Sequence, residues 1–335
     1  MTATSSGAAP AEATSAASRP HVIAIVGPTA VGKSSLAEDL ALRLDGEIVS
    51  ADSMQVYRGM DIGTAKPPAG ERRAGYHLID AVEPGTPFSA ALYQRLAREA
   101  IEDIAARGKA PLVCGGTGLY VRAALDDMRF PAGDYESQTR EQIEALAQEI
   151  GPEALHARLR ALDPESAALI HPNNVRRTIR ALEMAEGGFS YAQQAAGFTE
   201  RRPFYPATYL GLSMDRERLY ERIDARVDAM LAAGLLDEIR QLLDAGLREA
   251  LTAQQAIGYK EFVPVLESDA PIENAVAQVK LASRRYAKRQ LTWFRADDRI
   301  RWIDVTSLST AETLAQAISL LESDGLQPPA TAGPH

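Results

Sequence analysis

The hydrophobic positions of this chain fall into short continuous runs and helix-spaced leucines. An uninterrupted apolar run from Val22 to Val26 precedes a glycine-bounded loop, after which Leu36, Leu40 and Leu44 recur at helical spacing. Further runs with strand character are EIVS, APLVCGG, ATYLGLSM and RIRWIDV, and helical stretches separate them. Strands that alternate with helices predict an α/β fold with a doubly wound parallel sheet, in which ligands bind at the carboxyl ends of the strands.

One part of the pattern lacks strand character. From about residue 129 to residue 186 the sequence is charged, rich in Ala and Leu, and helical. We therefore expect one core over residues 21–128 and 187–308, interrupted by a helical insertion over 129–186. The two ends, residues 1–20 and 325–335, are dominated by small residues and Pro, and are predicted to be disordered.

Composition and charge narrow the classes of function. The 335 residues include 36 basic and 45 acidic side chains, net −9, so any contact with nucleic acid must be local. Cys114 is the single cysteine, which excludes an intrachain disulfide framework and a multi-cysteine zinc site. The five histidines are scattered and lack the spacing of metal ligands. No apolar run approaches the roughly 20 residues of a membrane span. We expect a cytoplasmic protein that does not use a membrane.

The loop after the first strand, GPTAVGKS, fits the phosphate-binding pattern G-x-x-x-x-G-K-[ST]. Its glycines let successive backbone N–H groups and a helix N-terminus face phosphate oxygens, Lys33 adds a positive charge, and the Ser34 hydroxyl can ligate Mg²⁺. The pattern does not say what the phosphate is attached to. The residues predicted to line this phosphate site are Gly27, Pro28, Thr29, Ala30, Val31, Gly32, Lys33 and Ser34.

A carboxylate follows the second strand, on the same edge of the predicted sheet. Asp52 could orient Mg²⁺ through water or accept a proton from a nucleophile. Ser53, Gln55 and Tyr57 follow at alternate positions and could read a base. An apolar run ending in Asp, expected of an NTPase metal site, is not obvious. On the residues alone, an ATP-using small-molecule kinase and a non-catalytic RNA-binding NTPase module stay open.

Six motifs, taken together and in order, are more specific. The chain carries GPTAVGKS, DSMQVYRGMDIGTAKP, GGTGLY, HPNNVRRTIRALE, AIGYKE and YAKRQLTWFR. This series resembles the tRNA dimethylallyltransferase (tRNA isopentenyltransferase) family over about residues 21 to 305. The resemblance implies a P-loop-type core that uses Mg²⁺ and dimethylallyl diphosphate. The implied reaction places a dimethylallyl group on the exocyclic amine of the adenosine 3′ of the anticodon, position 37 of tRNA.

The resemblance also implies roles for single residues. Asp52 is the implied general base, with Thr29 and Lys33 as further catalytic residues, while Arg222 and Arg226 lie near the diphosphate. The implied partner is the anticodon stem-loop of tRNA, bound by a monomer. The implied tRNA-contacting residues are Asp52, Ser53, Met54, Gln55, Thr117, Arg140, Arg176, Arg177, Thr178, Ile179, Arg180, Gln255, Ala256, Ile257, Gly258, Tyr259 and Lys260.

A basic stretch near the C-terminus has two interpretations. Its cations fall within an arc of about 140° of a helix, while the aromatic residues Tyr286, Trp293 and Phe294 lie outside that arc. Such a face could track phosphates, or it could be an ordinary solvated surface. The cations are Arg284, Arg285, Lys288, Arg289 and Arg295.

Overall fold

The computed structural model describes residues 19–130, 138–250, 252–268 and 271–326. Both ends that were predicted to be disordered fall almost entirely outside the described residues, as does the start of the predicted insertion, 131–137. Among the described residues, no helix combines the length and the apolar character needed to cross a membrane.

Within the described residues, six strands form one parallel sheet in the order β3-β2-β4-β1-β5-β6. This confirms the predicted α/β fold with a parallel sheet. The central strand β1 is buried along its whole length because both of its faces are covered, which explains its continuous apolar run. The strands are β1 Val22–Val26, β2 Gly46–Ser50, β3 Tyr76–His77, β4 Ala110–Gly115, β5 Ala207–Ser213 and β6 Ile300–Asp304.

Helices cover both faces of the sheet. The side chains of β1 alternate between two hydrophobic clusters: Val22, Ala24 and Val26 join one, and Ile23 and Ile25 join the other. The first cluster packs mainly on α2, α3, α9, α10 and α11, and the second on α1 and α12. The helices that the structure describes are α1 Lys33–Leu44, α2 Ala90–Ala106, α3 Gly118–Leu125, α4 Gln138–Leu162, α5 Pro164–Leu169, α6 Val175–Glu186, α7 Tyr191–Thr199, α8 Arg216–Ala232, α9 Leu235–Asp244, α10 Tyr259–Leu266, α11 Ile272–Arg295 and α12 Thr310–Ser323.

Helices α4 to α7 form a separate unit between α3 and β5. Leu155, Leu159 and Leu182 belong to a hydrophobic cluster that includes no sheet residue among those described. The buried His156 is held by hydrogen bonds between its Nε2 and the carbonyl oxygens of α5 and the residue after it. Since α7 packs against α5 and α6, the helical unit continues past Glu186, the predicted boundary.

Three loops meet at one edge of the sheet because β2, β4 and β1 are neighbours and parallel. The phosphate loop follows β1, the Asp52 loop follows β2, and the Gly116–Thr117 loop follows β4. Gly115 lets two of them touch, since a Cβ at this position would lie 2.2 Å from the Ala51 carbonyl oxygen. The strand order therefore assembles these three loops into one site.

Candidate active site

The phosphate loop has the backbone conformation that its glycines permit. Gly27 has φ 146° and Gly32 has φ 107°, in the region that side-chain-bearing residues rarely adopt. A Cβ on Gly27 would also lie 2.6 Å from the Leu212 carbonyl oxygen. Helix α1 begins directly after the loop, so the N–H groups of its first turn face the loop's concavity and favour an anion there.

Lys33 lies inside this loop. Its Nζ donates a hydrogen bond to the Pro28 carbonyl oxygen at 2.7 Å. Part of the side chain remains accessible, but the ammonium group is surrounded by protein, and this burial lowers the pKa of Lys33 to about 8. Asp52 partly opposes the shift and Arg226 adds to it, so all three charges lie within electrostatic range. At neutral pH the Lys33 side chain is therefore mainly cationic and can pair with an anion in the loop.

Thr29 is fixed from two sides. Its N–H donates to Gln290 Oε1 at 2.8 Å, and its hydroxyl accepts from Arg226 Nη1 at 3.3 Å. Gln290 is buried in α11, and its Nε2 donates to the Gly116 carbonyl oxygen at 2.9 Å. One side chain thus joins the phosphate loop to the loop after β4. The sequence analysis missed Gln290, although it lies in the quoted motif YAKRQLTWFR.

Asp52 is half-buried and oriented by its own loop. Its Oδ1 accepts hydrogen bonds from the N–H groups of Met54 at 2.9 Å and Gln55 at 3.3 Å. Its Oδ2 accepts none from any residue that the structure describes. The adjacent Ser53 is tied to Thr117, whose hydroxyl oxygen accepts from the Ser53 N–H at 3.1 Å. One carboxylate oxygen is therefore held and the other is available to a substrate.

The rest of the Asp52 loop is clamped by residues that the sequence analysis did not select. The Glu238 carboxylate on α9 accepts from the N–H groups of Asp61, Ile62 and Gly63 and from the Tyr259 hydroxyl. The sequence gives little indication of this role for Glu238, because an acidic residue on an amphipathic helix usually faces solvent. The clamp fixes the path of the loop that carries Asp52.

Thr29 and Asp52 open into one cavity of about 280 Å³. Arg226, Tyr286 and Arg289 complete its polar part, and an apolar wall is formed by Ile223, Val227, Met230, Leu235 and Val279. Burial raises the pKa of Tyr286 to about 12, so its phenol stays protonated at neutral pH. The cavity thus combines a phosphate site, a carboxylate and apolar surface. Predicted residues that line it also include Ser53, Met54, Gln255, Ala256, Ile257, Gly258 and Lys260.

A second cavity of about 520 Å³ connects the site with the helical unit. Arg140, Arg176 and Arg180 line it, together with Met54 and Gln255, which also line the Asp52 cavity. Arg140 Nε donates to Glu144 at 2.9 Å, and Arg180 Nη1 donates to Glu183 at 2.8 Å. The structure therefore brings the predicted arginines of the insertion beside the site.

Several predicted residues are placed elsewhere. The side chains of Thr178 and Ile179 face the interior of the helical unit and are buried, so direct contact of these side chains with tRNA was a wrong expectation. Tyr259 is fully buried and donates a hydrogen bond to Glu238. The Gln55 amide donates to the carbonyl oxygens of Thr64 and Ala65 and accepts from the Ser50 hydroxyl. Arg177 is exposed on α6.

Arg222 is also separate from Thr29 and Asp52. It is exposed and lines a small cavity of about 150 Å³ with Gly32 and Ser35, at the start of α1. Arg226, one turn further along α8, is the arginine that reaches the Asp52 cavity. The two arginines therefore approach the phosphate loop at different points.

One side chain of the phosphate loop could ligate Mg²⁺. The Ser34 hydroxyl is exposed and makes no hydrogen bond within the described residues. No group of three or more His, Cys, Asp or Glu side chains suited to a metal occurs in the described part of the chain. A magnesium ion commonly takes one or two protein oxygens and completes its shell with phosphate oxygens and water, and the Ser34 hydroxyl could supply one such oxygen.

Comparison with known proteins agrees with this geometry. The family model described as "IPP transferase" matches residues 55–297, and the model described as "Isopentenyl transferase" matches residues 20–77. A tRNA dimethylallyltransferase of Geobacillus kaustophilus is 48% identical over 308 residues, covering 91% of this chain and 97% of that protein.

Two solved structures are also similar. The tRNA isopentenylpyrophosphate transferase of Bacillus halodurans is 42% identical with a TM-score of 0.67, covering 92% of this chain and 98% of that one. A eukaryotic dimethylallyltransferase acting on tRNA is 31% identical with a TM-score of 0.76, covering 94% and 82% of the two chains. The matched span and these identities show that the chain belongs to the IPP transferase family of tRNA dimethylallyltransferases.

Proposed function

We propose that this protein transfers the dimethylallyl group of dimethylallyl diphosphate to the exocyclic amine of adenosine 37 in tRNA and releases diphosphate. The observation that carries the proposal is the cavity that Thr29 and Asp52 share. It places the phosphate loop beside an apolar wall and a carboxylate that has only one of its two oxygens in hydrogen bonds. Family membership supports the proposal and gives no support to the kinase alternative.

The departing diphosphate has to be stabilised by positive charge. As the bond between the allylic carbon and its oxygen breaks, negative charge grows on the departing diphosphate. The loop N–H groups, the Lys33 ammonium and Arg226 provide fixed donors for that charge, and Thr29 stands at the end of the loop that faces the cavity. Mg²⁺ held through Ser34 would neutralise further charge on the phosphate oxygens.

The acceptor end needs a base. An adenine amine is a weak nucleophile, so nitrogen attack on the allylic carbon must be accompanied by loss of an amine proton. Asp52 Oδ2 is the proposed acceptor of that proton, because Oδ1 is already held by backbone N–H groups. The carbon–nitrogen bond forms, the carbon–oxygen bond breaks, and the proton goes to the carboxylate.

The tRNA is proposed to approach from the side of the helical unit. Arg140, Arg176 and Arg180 can pair with backbone phosphates, and Met54 and Gln255 stand between their cavity and the Asp52 cavity. The anticodon stem-loop would thus bind on the arginine side while the target base enters the reaction cavity. All these residues belong to one chain, so we propose that a monomer is active, and that it acts in the cytoplasm.

The proposal is tested by label transfer. Purified protein is incubated with unmodified tRNA, Mg²⁺ and isotope-labelled dimethylallyl diphosphate, without ATP, and the tRNA is digested to nucleosides. The expected result is label on adenosine 37. Phosphate transfer from ATP to a small acceptor, together with unlabelled tRNA, would overturn the proposal in favour of a kinase.

A further inference from the structure

A buried carboxylate lies on the wall of the 520 Å³ cavity that connects the helical unit with the site. Glu183 of α6 lines this cavity with Arg140, Arg176 and Arg180, yet its side chain is only 8% exposed. A negative charge at this position repels the phosphates that the three arginines would bind. Glu183 therefore opposes an anionic ligand directly, and any favourable effect on such a ligand has to come through its neighbours.

Glu183 holds two arginines that come from different helices. Its Oε2 accepts a hydrogen bond from Nη1 of Arg180, one turn earlier on α6, at 2.8 Å. The same oxygen lies 3.8 Å from Nη1 of Arg140 on α4. We call Glu183, Arg140 and Arg180 the Glu183 triad. Because a carboxylate that is removed from water is stable only when it is paired, the triad fixes both guanidinium groups.

Two other carboxylates of the helical unit pair with arginines in a different setting. Glu144 lies 2.9 Å from Arg140 Nε and is 43% exposed, and the exposed Glu186 lies 3.2 Å from Arg158. Ion pairs of exposed side chains are weak and leave both partners mobile. Of these three carboxylates, that of Glu183 is the buried one, and it faces the cavity.

Fixed arginines bind an anion better than mobile ones. Immobilising a long side chain on binding costs conformational entropy, which corresponds to about 2- to 10-fold in affinity for each side chain. In the Glu183 triad much of this freedom is already lost when the chain folds. The arginines then present their remaining N–H groups to the cavity before a ligand arrives.

We propose that Glu183 is a positioning residue for tRNA binding. It does not touch the tRNA; it holds Arg140 and Arg180 in the orientation in which they bind two backbone phosphates. This gain in orientation exceeds the repulsion between the Glu183 carboxylate and those phosphates. The inference rests on the proposed function, because it concerns how the same substrate is held.

The test measures binding of an unmodified anticodon stem-loop to the full chain without dimethylallyl diphosphate, so that chemistry does not enter. All titrations use one low salt concentration, which keeps weak variants measurable. Glu183→Gln removes the charge at nearly the same volume and should weaken binding on the order of 5-fold. Loss of a negative charge near a phosphate would by itself strengthen binding, so the sign of the change distinguishes positioning from simple electrostatics.

Glu186→Gln is the matched control. It removes the same charge from the same helix and also breaks a pair with an arginine of α4, but Glu186 does not line the cavity. Its affinity for the stem-loop should equal that of the wild type or exceed it slightly. The thermal midpoints of all variants show whether each one folds.

A second measurement asks whether Glu183 acts through its arginines. Glu183→Gln is introduced into a protein that already carries Arg140→Ala and Arg180→Ala. With no arginine left to orient, the added change should no longer weaken binding. A general disturbance of α6 would weaken binding in both backgrounds.

The outcomes separate this inference from the proposed function. Failure of the wild type to bind the stem-loop would sink both. Binding by Glu183→Gln that is as tight as that of Glu186→Gln, or tighter, would overturn only the positioning role. An equal loss with and without the two arginines would overturn it as well, and would assign the effect of Glu183 to the shape of α6.

Discussion

At the scale of single residues, the two oxygens of Asp52 have different environments. Oδ1 is held by the N–H groups of Met54 and Gln55, so the carboxylate cannot rotate freely, and Oδ2 is left toward the cavity. This division predicts that the negative charge of Asp52 matters for chemistry more than for the shape of its loop.

Asp52→Asn is the variant that tests this division. Asn keeps an oxygen that can accept from the Met54 N–H but cannot take up a proton at neutral pH, so kcat should fall by on the order of 10² while the KM for tRNA stays nearly constant. Steady-state kinetics with both substrates provide the measurement. Asp45→Asn, at an exposed turn after α1, is the control. An equal loss of tRNA affinity in Asp52→Asn would assign the carboxylate to binding instead.

Lys33 gives a prediction about pH. Its pKa of about 8 in the folded protein means that the ammonium is lost as the pH rises through this value, and the loop then holds a diphosphate less well. The kcat/KM for dimethylallyl diphosphate should be level near pH 7 and fall above about pH 8. Lys33→Arg should move this fall to higher pH, because guanidinium stays charged. An unchanged profile in Lys33→Arg would assign the titration to another group.

The lowered pKa of Lys33 affects folding stability in the opposite direction. Activity should fall as the pH rises, whereas the contribution of Lys33 to stability increases. The folded chain holds this proton less tightly than the unfolded chain does, since burial lowers the pKa from 10.5 to about 8. Between these two values the unfolded state binds more protons, so Lys33 contributes stability that rises with pH over that window. The group's function and its contribution to stability therefore favour different pH ranges.

At the scale of elements, α11 is the part that joins the loops of the site. Gln290 contacts the phosphate loop through Thr29 and the loop after β4 through Gly116, and the Tyr286 phenol interacts with the side chains of Thr117 and Gln290. Because Thr117 in turn accepts from the Ser53 N–H, the helix connects the phosphate loop to the Asp52 loop. This arrangement predicts that Gln290 acts on the reaction by aligning the two ends.

Gln290→Met and Gly116→Ala test the alignment as a pair. Met removes both hydrogen bonds at similar volume and leaves two buried backbone groups unpaired, which should cost about 1–3 kcal/mol of the free energy of unfolding. A Cβ on Gly116 would lie 2.1 Å from Gln290 Nε2, so Ala should displace the same amide. Each single variant should lower kcat about 10-fold, with weak effects on the affinity for inorganic diphosphate.

The double variant decides whether the two residues act together. If Gln290 and Gly116 are one unit, Gly116→Ala should add little to the loss already caused by Gln290→Met. Single-turnover rates and diphosphate affinity are measured for all four proteins. Losses that multiply, or an equal weakening of diphosphate affinity, would show two separate structural effects.

The sequence predicts the elements of this site better than their contacts. The phosphate loop is readable because its constraint is local: Gly27 and Gly32 need positive φ, and Lys33 and Ser34 follow directly. Gln290 is 261 positions from Thr29 along the chain, so no local pattern indicates that the two touch. Glu238 is a similar case, since its partners lie in a loop 175 to 177 positions away.

The expectation that the side chains of Thr178 and Ile179 contact tRNA was wrong for a different reason. Residues Arg176 and Arg180 are four positions apart and share one face of α6, whereas Ile179 faces the hydrophobic cluster of the helical unit. Helical periodicity already separates these two faces in the sequence. A continuous contact region over 176–180 does not fit this periodicity, because the side chains of Thr178 and Ile179 are buried.

At the scale of the whole molecule, an acidic protein must bind an acidic substrate. The net charge of −9 repels tRNA at long range, so affinity has to come from a few local cations. Arg176 is such a cation because it lines the 520 Å³ cavity and forms no ion pair with a described residue. Arg240, by contrast, lies on α9 and pairs with Asp237.

This contrast gives a prediction about salt. Each phosphate contact that a cation makes adds to the steepness with which affinity falls as salt rises, by about 0.7 to 0.9 in a plot of log Kd against log salt. Arg176→Ala should reduce that slope by about this amount for an anticodon stem-loop and weaken binding across all sequences alike. Arg240→Ala should leave the slope unchanged. If Arg176→Ala weakened binding at an unchanged slope, the side chain would act through shape or base contact. Other cations of the helical unit would then have to bind the tRNA phosphates.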